Sequence, residues 1–313
     1  MNVLILAGGA DTGGQGIATK QAFDRHSSMQ VRSVSVSKNY LAYAADLWWP
    51  ADKRLIRRLF AEADVLHVRN TFLSLKLVGA LDFDRKRPPM LIQHHGTDYR
   101  EHPSRLLHEA ARYGAATYVS TIDLLTAAPV DHVGWIPAPL DIDALAAFRV
   151  ARPAEAPLRV GHAPTVRASK GTDVFLEAFA QVEKTRNIEL VMIEGKPQVE
   201  CLAIKGTCDI LFDQLTFGYG SNALEAFAMG IPVLSGAEDP AVLDRMRSVI
   251  GFLPFLPCTR ANLAEQLRRL IDQEQLREDL AAVGRSYVQT YHAAPVVVKR
   301  LERIYRTITN RAA

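Results

Sequence analysis

One stretch of this 313-residue sequence gathers residue types that bind phosphate and sugar hydroxyls: Cys208-Asp-Ile-Leu-Phe-Asp-Gln-Leu-Thr-Phe-Gly-Tyr-Gly-Ser-Asn-Ala-Leu-Glu-Ala-Phe-Ala-Met-Gly-Ile-Pro-Val233. It reads as strand, glycine loop, helix, glycine, strand. Gly218 and Gly220 let the backbone approach a ligand closely. The helix that follows opens at Ser221 and Asn222, where free amides and the helix dipole favour a phosphate. Glu225, in the first turn, can accept hydrogen bonds from ribose hydroxyls. Equally, Asn222 to Glu225 has capping-box spacing, and the glutamate can simply cap the helix. Gly230 is a natural helix C-cap.

Other segments carry weaker signals. After the first apolar run comes Ala7-Gly-Gly-Ala-Asp-Thr-Gly-Gly-Gln-Gly16, then a helical pattern. A glycine loop before a helix can cradle a phosphate or let an acceptor approach, which makes Gly13 and Gly14 candidates. The spacing of Gly9, Gly13, Gly14 and Gly16 is not the dinucleotide fingerprint, and no GK[ST] follows as in a P-loop. No acidic residue follows a second strand as a nicotinamide dehydrogenase requires. Met90-Leu-Ile-Gln-His-His-Gly-Thr-Asp-Tyr-Arg100 runs a strand into His-Gly-Thr-Asp, and strand alternation sends His94 and His95 to opposite faces. Asp141-Ile-Asp143 opens a helix after Pro139-Leu140 and reads as N-capping, not as a metal-binding DxD pair. Asp82-Phe-Asp84 reads as a turn.

Leu224-Glu-Ala-Phe-Ala-Met-Gly-Ile-Pro-Val233 resembles the donor-binding segment of the retaining glycosyltransferases of family 4. The resemblance implies the GT-B fold, two Rossmann-like doubly wound domains facing across a cleft, and gives Glu225 the ribose of a nucleotide. Phe217 stands where that family carries a second glutamate. The sugar contact then passes to Asp213, Gln214 or the backbone of the Gly218–Ser221 loop. Val160-Gly-His-Ala-Pro-Thr-Val-Arg-Ala-Ser-Lys-Gly-Thr-Asp-Val-Phe175 is similar to the strand and loop in which an arginine and a lysine hold the donor diphosphate. Arg167 and Lys170 are the candidates, with His162 placed on the donor side. Fixed cations there would stabilise the charge of a departing diphosphate without a metal. Ile188-Glu-Leu-Val-Met-Ile-Glu-Gly195 resembles the central strand and the glycine flanking the nucleotide. The stretch from Gly195 to Asp209 is short for the family, and it is where the base is often read, so UDP and GDP donors both stay open. The His-Gly-Thr-Asp motif resembles the family's "HG-D", with His95 lining the reaction centre and Asp98 orienting it or capping the next helix. In the resemblance the Gly13–Gly14 loop faces the donor phosphates.

Short apolar runs alternate with helical patterns, which argues for α/β architecture with parallel strands. Strands are expected near Val3–Ala7, Val31–Val36, Asp64–Val68, Met90–His94, Ala116–Ser120 and His132–Ile136, and again near Leu158–His162, Ile188–Glu194, Asp209–Asp213 and Pro232–Ser235. Helices are expected over Ala51–Glu62, Ser104–Tyr113, Thr172–Lys184, Ser221–Met229 and Ala261–Asp272, then continuously from Gln273 to the end. The proline-bearing Ala151–Pro157 reads as a linker. Residues 1–152 form an acceptor-side domain, joined by a C-terminal helix over 293–313, and residues 153–292 the donor-binding domain. Trp135-Ile-Pro-Ala-Pro-Leu-Asp-Ile-Asp143 resembles the family's hinge, and Arg285–His292 its closing helices.

Composition sets the frame. Hydrophobic residues make up 48% and charged residues 23%, an ordinary globular balance. No apolar run is long enough to span a bilayer, and the N-terminus lacks the layout of a signal peptide, so a cytoplasmic protein is expected. Cys201, Cys208 and Cys258 make no disulfide framework and no zinc spacing. A net charge of +3 does not imply nucleic acid. Lys53, Arg54, Arg57 and Arg58 share one helix face behind Trp48 and Trp49. That face is either solvated or meets a polyanion or the inner membrane face. The expected reaction moves a sugar from a nucleoside diphosphate sugar to an acceptor hydroxyl, with no tightly bound cofactor and no metal. The acceptor would be a carbohydrate, a lipid-linked species or a nucleic acid. The rival readings are a nucleotide-sugar-binding protein without turnover and a GT-B epimerase or hydrolase using Glu194.

Overall fold

The computed structural model describes residues 1–8, 11–38, 40–69, 71–81, 87–128, 131–153 and 155–312. Gly9 and the Asp82-Phe-Asp84 turn lie outside them. Val-, Ile- and Leu-rich runs form strands buried on both faces, the pattern that parallel sheets impose when helices cover them. The chain forms two compact units, Met1–Leu140 with His292–Ala313, and Asp141–Tyr291.

The first unit holds β1 Asn2–Leu6, β2 Gln30–Ser35, β3 Leu47–Trp48, β4 Val65–Arg69, β5 Met90–His94, β6 Ala116–Val119 and β7 Gly134–Trp135. They make one sheet in the order β3-β2-β1-β4-β5-β6-β7, every neighbour parallel. Side chains of β1 alternate between faces. Leu4 and Leu6 join Ile56, Phe60 and Val68 in one core, while Val3 and Ile5 join Val297, Val298, Leu301 and Tyr305 of the last helix in the other. Burying each of those last aliphatic side chains stabilises by about 1.5–3 kcal/mol, which holds the C-terminal helix to this unit.

The second unit holds β8 Leu158–His162, β9 Ile188–Met192, β10 Ile210–Phe212, β11 Val233–Ser235 and β12 Leu256–Pro257. The sheet order is β12-β11-β10-β8-β9, again all parallel. The architecture is α/β and doubly wound in both units. In each sheet the strand order reverses beside the first strand, between β1 and β4 and between β8 and β10. At such a reversal, crossovers leave to opposite faces and the carboxyl ends open a crevice for ligands.

Four features depart from the sequence reading. The two-residue strands β3 and β12 are too short for alternation to reveal. The expected unbroken C-terminal helix is two helices, Glu274–Tyr291 and Ala294–Ala312. Leu140 breaks them: its N–H donates to the His292 carbonyl at 2.7 Å, and its own carbonyl accepts from Ala294 N at 3.1 Å. The His292 ring is drawn in as well, donating from Nδ1 to the Ala138 carbonyl at 2.9 Å. A helix Pro240–Ile250, capped by Asp239, was not anticipated. Finally, the chain divides after Leu140, inside the Trp135–Asp143 segment, and not at Ala151–Pro157. Val150 N and Arg149 Nη1 donate to the Gly206 carbonyl at 3.0 and 3.1 Å, and Arg152 pairs with Asp209 at 2.8 Å, so this stretch is bonded into the second unit. Asp141 does cap its helix, accepting from Ala144 N at 3.1 Å.

Candidate functional site

The site in the second unit gathers where β8 and β10 end side by side. β10 delivers Asp213 and Gln214, the loop after β8 delivers Lys170, and the Gly218–Gly220 turn leads into the helix Ser221–Ala228. Gly220 is the point of convergence. Its N–H donates to Asp213 Oδ2 at 2.5 Å. A Cβ placed on it would lie 3.2 Å from Lys170 Nζ and 3.7 Å from Gln214 Nε2. Lys170 Nζ stands 3.5 Å from Asp213 Oδ1, and the Asp213 side chain is fully buried. The ammonium is therefore anchored from below at a helix N-terminus. No side chain caps that helix, so its first amides remain available to a ligand. Ser221 is exposed there. Gln214 is 1% exposed, and its Oε1 has no protein partner among the described residues. A buried amide oxygen left unpaired is the kind of atom a bound ligand satisfies.

Glu225 neither caps its helix nor stands free. Its carboxylate pairs with Lys205, whose side chain is wholly buried. Lys205 also donates to Asn222 Oδ1 at 2.9 Å, and Asn222 Nδ2 donates to the Ala163 carbonyl at 2.6 Å. Lys205 ends the helix Gln198–Lys205, which occupies the short stretch from Gly195 to Asp209. The carboxylate is 12% exposed. Sequence reasoning missed this lysine; the signal was a charge closing the apolar Cys201-Leu-Ala-Ile-Lys205 run.

Three of the expected donor residues are engaged within the protein. His162 is a core residue: Nδ1 donates to the Phe212 carbonyl at 3.0 Å, Nε2 meets the Thr172 hydroxyl at 2.8 Å, and the ring packs at a tilt against Phe175 and Phe212. With both nitrogens used and no exposure, it presents nothing to a ligand. Gly218 has φ +82°, and a Cβ there would meet Met246 Cε at 2.2 Å. Its N–H donates to Gly236 and its carbonyl accepts from Ser235, so it shapes the turn. Arg167 forks onto Glu194 at 2.8 and 2.6 Å on the surface, and the guanidinium holds the Glu194 carboxyl below the usual carboxylate range. Its bidentate face is thus filled by Glu194. Gly195, with φ +62°, has open space around it. Phe217 makes a backbone bridge to Ala237 and puts no carboxylate at that position.

The site in the first unit is built on β4 and β5. His95 follows β5 and is 7% exposed; Arg69 closes β4 and is 3% exposed. Arg69 Nε donates to His95 Nε2 at 3.3 Å, so Arg69 and not Asp98 touches the ring. Asp98 stands in the first turn of the short helix Gly96–Glu101. His94 turns away and stacks on Tyr99 at 4.5 Å. Burial, then the Arg69 charge, pushes the His95 pKa well below its ordinary value. The glycine loop has an internal occupant: Asp11 accepts from Gly16 N at 2.7 Å and Ile17 N at 2.9 Å, taking the amides that a phosphate would use. Gly13 and Gly14 adopt positive φ to let it do so, and a Cβ on Gly14 would strike the Tyr43 ring. Beside this loop a cavity of about 290 Å³ opens among Asp11, Ser35, Lys38, Tyr43 and Trp48, with the Lys38 ammonium 5.3 Å from the Trp48 ring. Asp11 and Ala42, both lining it, hold φ of 51° and 54°. Non-glycine residues so strained cluster at functional sites. A buried charge closing a central strand was the readable sign of Arg69.

Among the described residues no group of three or more His, Cys, Asp or Glu is arranged to hold a metal ion. Among them, also, no helix is long and apolar enough to cross a membrane.

This combination is the GT-B fold: two doubly wound units, each open at its strand-order reversal. No family model matches the sequence. The capsular polysaccharide biosynthesis glycosyltransferase CapM of Staphylococcus aureus is 29% identical over 152 residues, covering 44% of this chain. The match spans 39% of that protein's length. Anabaena HepE, solved in complex with UDP and glucose, superposes with a TM-score of 0.70 at 13% identity, covering 97% of this chain and 99% of that one. An α-glucosyltransferase solved with UDP and a 13-mer DNA containing an HMU base superposes with a TM-score of 0.69 at 11% identity, with the same coverage.

Proposed function

We propose that this protein is a glycosyltransferase that moves a sugar from a nucleoside diphosphate sugar to an acceptor hydroxyl, with retention at the anomeric carbon. The second unit holds the donor and the first the acceptor. The observation that carries the reading is the convergence of Lys170, Asp213 and the Gln214 amide on Gly220, at the uncapped start of the helix Ser221–Ala228 beside the β8/β10 reversal. Lys170 and the helix amides take the diphosphate and stabilise it as it departs. Glu225, held by Lys205, meets the ribose, and the unpaired Gln214 amide meets the sugar. Arg167 joins the phosphates by exchanging Glu194 for them. UDP is the favoured donor nucleotide, since HepE and the α-glucosyltransferase were both solved with it. The anomer of the product, read by NMR, tests retention.

The test is a thermal-shift panel of UDP, GDP and their sugars on wild type and Lys170→Ala. A nucleotide at a hundredfold over its dissociation constant stabilises by about 2.7 kcal/mol. Losing a charge-assisted hydrogen bond worth about 1.5–3 kcal/mol weakens Lys170→Ala binding roughly 10- to 150-fold. A wild type that no nucleotide stabilises sinks the reading. The second reading is nucleotide-sugar binding without turnover. Phe217, in the place of an acid, favours it, and binding without donor consumption would establish it. An epimerase or hydrolase would need further acids and bases at the site, for which Glu194 is the candidate, and product analysis separates it from a transferase.

The acceptor is a carbohydrate or lipid-linked sugar seated in the Trp48–Tyr43 cavity, and the protein works at the cytoplasmic membrane face. The helix Lys53–Glu62 buries Ile56 and Phe60 and exposes Lys53, Arg54, Arg57 and Arg58. Vesicles containing phosphatidylglycerol should retain the wild type at low salt and release a variant with the four cations reversed to glutamate. Retention of DNA in place of vesicles would transfer the acceptor to nucleic acid.

A further inference from the structure

Arg69 is an expensive residue to keep where it is. Its guanidinium is buried, and burial pulls its pKa down to about 10. A buried charge is normally paired with a carboxylate that bonds it. Asp11 is the nearby acid, but both of its oxygens go to the Gly16 and Ile17 amides. The guanidinium instead spends its protons on neutral groups. Nη1 donates to the Gln15 carbonyl at 3.0 Å and to Thr19 Oγ1 at 2.8 Å, Nη2 donates to Gln15 Oε1, and Nε donates to His95 Nε2 at 3.3 Å. Gln15 and Thr19 lie one turn apart on the helix Gln15–His26, and Asp11 locks the first turn of that helix. The fork is therefore fixed in orientation by three bonds, and the fourth is aimed at the imidazole.

The consequence lies in proton bookkeeping at His95. A guanidinium has five N–H donors and no acceptor. His95 Nε2 must then carry its lone pair towards Arg69, which puts the ring proton on Nδ1. Nε2 is shut off as a base, and Nδ1 is already protonated. A second proton would place an imidazolium against the guanidinium, close to His67 on β4 and beside His94 on β5. What remains to the ring is donation from Nδ1.

We propose that Arg69 is the positioning residue of the first unit's site: it fixes His95 as the neutral Nδ1–H tautomer, so that His95 serves sugar transfer as a hydrogen-bond donor and not as a proton acceptor. The catalytic half of this inference rests on the transferase reading; the tautomer does not. The ring gives a fixed dipole to an oxygen of the transferred sugar or acceptor and takes no proton at any step. As the acceptor oxygen bonds the anomeric carbon and the bond to the diphosphate breaks, the hydroxyl proton leaves on an oxygen of the departing diphosphate.

Long-range ¹H–¹⁵N correlation on ¹⁵N-histidine protein tests this, with His95→Gln identifying the signal. Wild type should show a pyrrole-type Nδ1 and a pyridine-type Nε2 at His95. Arg69→Met should lose that pattern and slow turnover about a hundredfold, the penalty for a misplaced group, while its nucleotide affinity stays within about twofold of wild type. Arg69→Lys, which restores a cation and donors, should recover part of the turnover. An Nε2–H signal in wild type overturns the proposal even if every variant fails to fold. Unchanged turnover in a folded Arg69→Met overturns it too. Failure of wild type to bind any nucleotide overturns the transferase reading, and the catalytic half with it, whatever the tautomer.

Discussion

Replacing Glu225 by alanine will lower the stability of the second unit by about 3–5 kcal/mol, the usual penalty for stranding a buried charge. The ammonium left behind belongs to Lys205, wholly buried, with Asn222 Oδ1 as its other acceptor. Domains of this kind are stable by about 5–15 kcal/mol in all, so the loss is large enough to leave a population unfolded. Urea titration followed by fluorescence should show the midpoint fall sharply for Glu225→Ala and much less for Glu225→Gln, which keeps an acceptor in place. Removing both charges together, with Lys205→Met and Glu225→Leu, should recover most of the loss, since apolar pairs of similar volume often match buried ion pairs. An unchanged midpoint in Glu225→Ala would mean that Lys205 is solvated and that the pair does not stabilise the unit. For nucleotide binding the alanine variant therefore confounds folding with contact. Lys170, 17% exposed, is the cleaner probe of the proposed donor site.

The second large effect is with acid. His94, His162 and His292 are buried and neutral, and burial pushes each of their pKa values down to about 4. His67 and His95 lie well below the ordinary value for the same reason. In the unfolded chain these rings take a proton as soon as pH falls below about 6.5. The unfolded state then binds more protons than the folded one, and stability falls with pH. The loss runs from about pH 6.5 down to about 4, where the folded rings protonate as well. Each ring contributes about 1.4 kcal/mol per pH unit across that window, or roughly 2 kcal/mol at pH 5. The five do not divide evenly: four lie in the first unit and His162 alone in the second. Calorimetry between about pH 7.5 and 5 should show the first unit losing stability faster. A melting profile unchanged over that range would show that the rings are hydrated in the native state.

The two effects bear on the transferase reading in different ways. The Lys205–Glu225 pair ties the carboxylate proposed for the ribose to the interior, so that on that proposal binding and folding share one contact. The neutral histidines keep the first unit's site free of positive imidazole, leaving Arg69 as the buried cation beside His95.

Much of this molecule is legible one segment at a time. Alternating apolar runs and helical patterns determine the α/β architecture, because periodicity is a property of neighbouring residues. The same locality makes the helix Ser221–Ala228 readable: Gly220, the helix start at Ser221 and the Gly230 stop act within a few residues of one another. Lys170-Gly171 is local too. Partners are another matter. His162 ends a strand as a ligand-binding residue would, yet the placement of β8 beside β10 turns it onto Phe212. Glu225 reads by itself as a cap and, through the family resemblance, as a ribose ligand, and only the return of the helix Gln198–Lys205 supplies its lysine. Arg167 reads as a phosphate ligand, and only the end of β9 brings Glu194 to it. Asp98 is next to His95 in sequence, while Arg69, on the neighbouring strand, is next to it in space. Which side chains meet follows from strand order and from where the last helix docks, and those are decided by burying the whole apolar surface at once. A single segment does not carry that information.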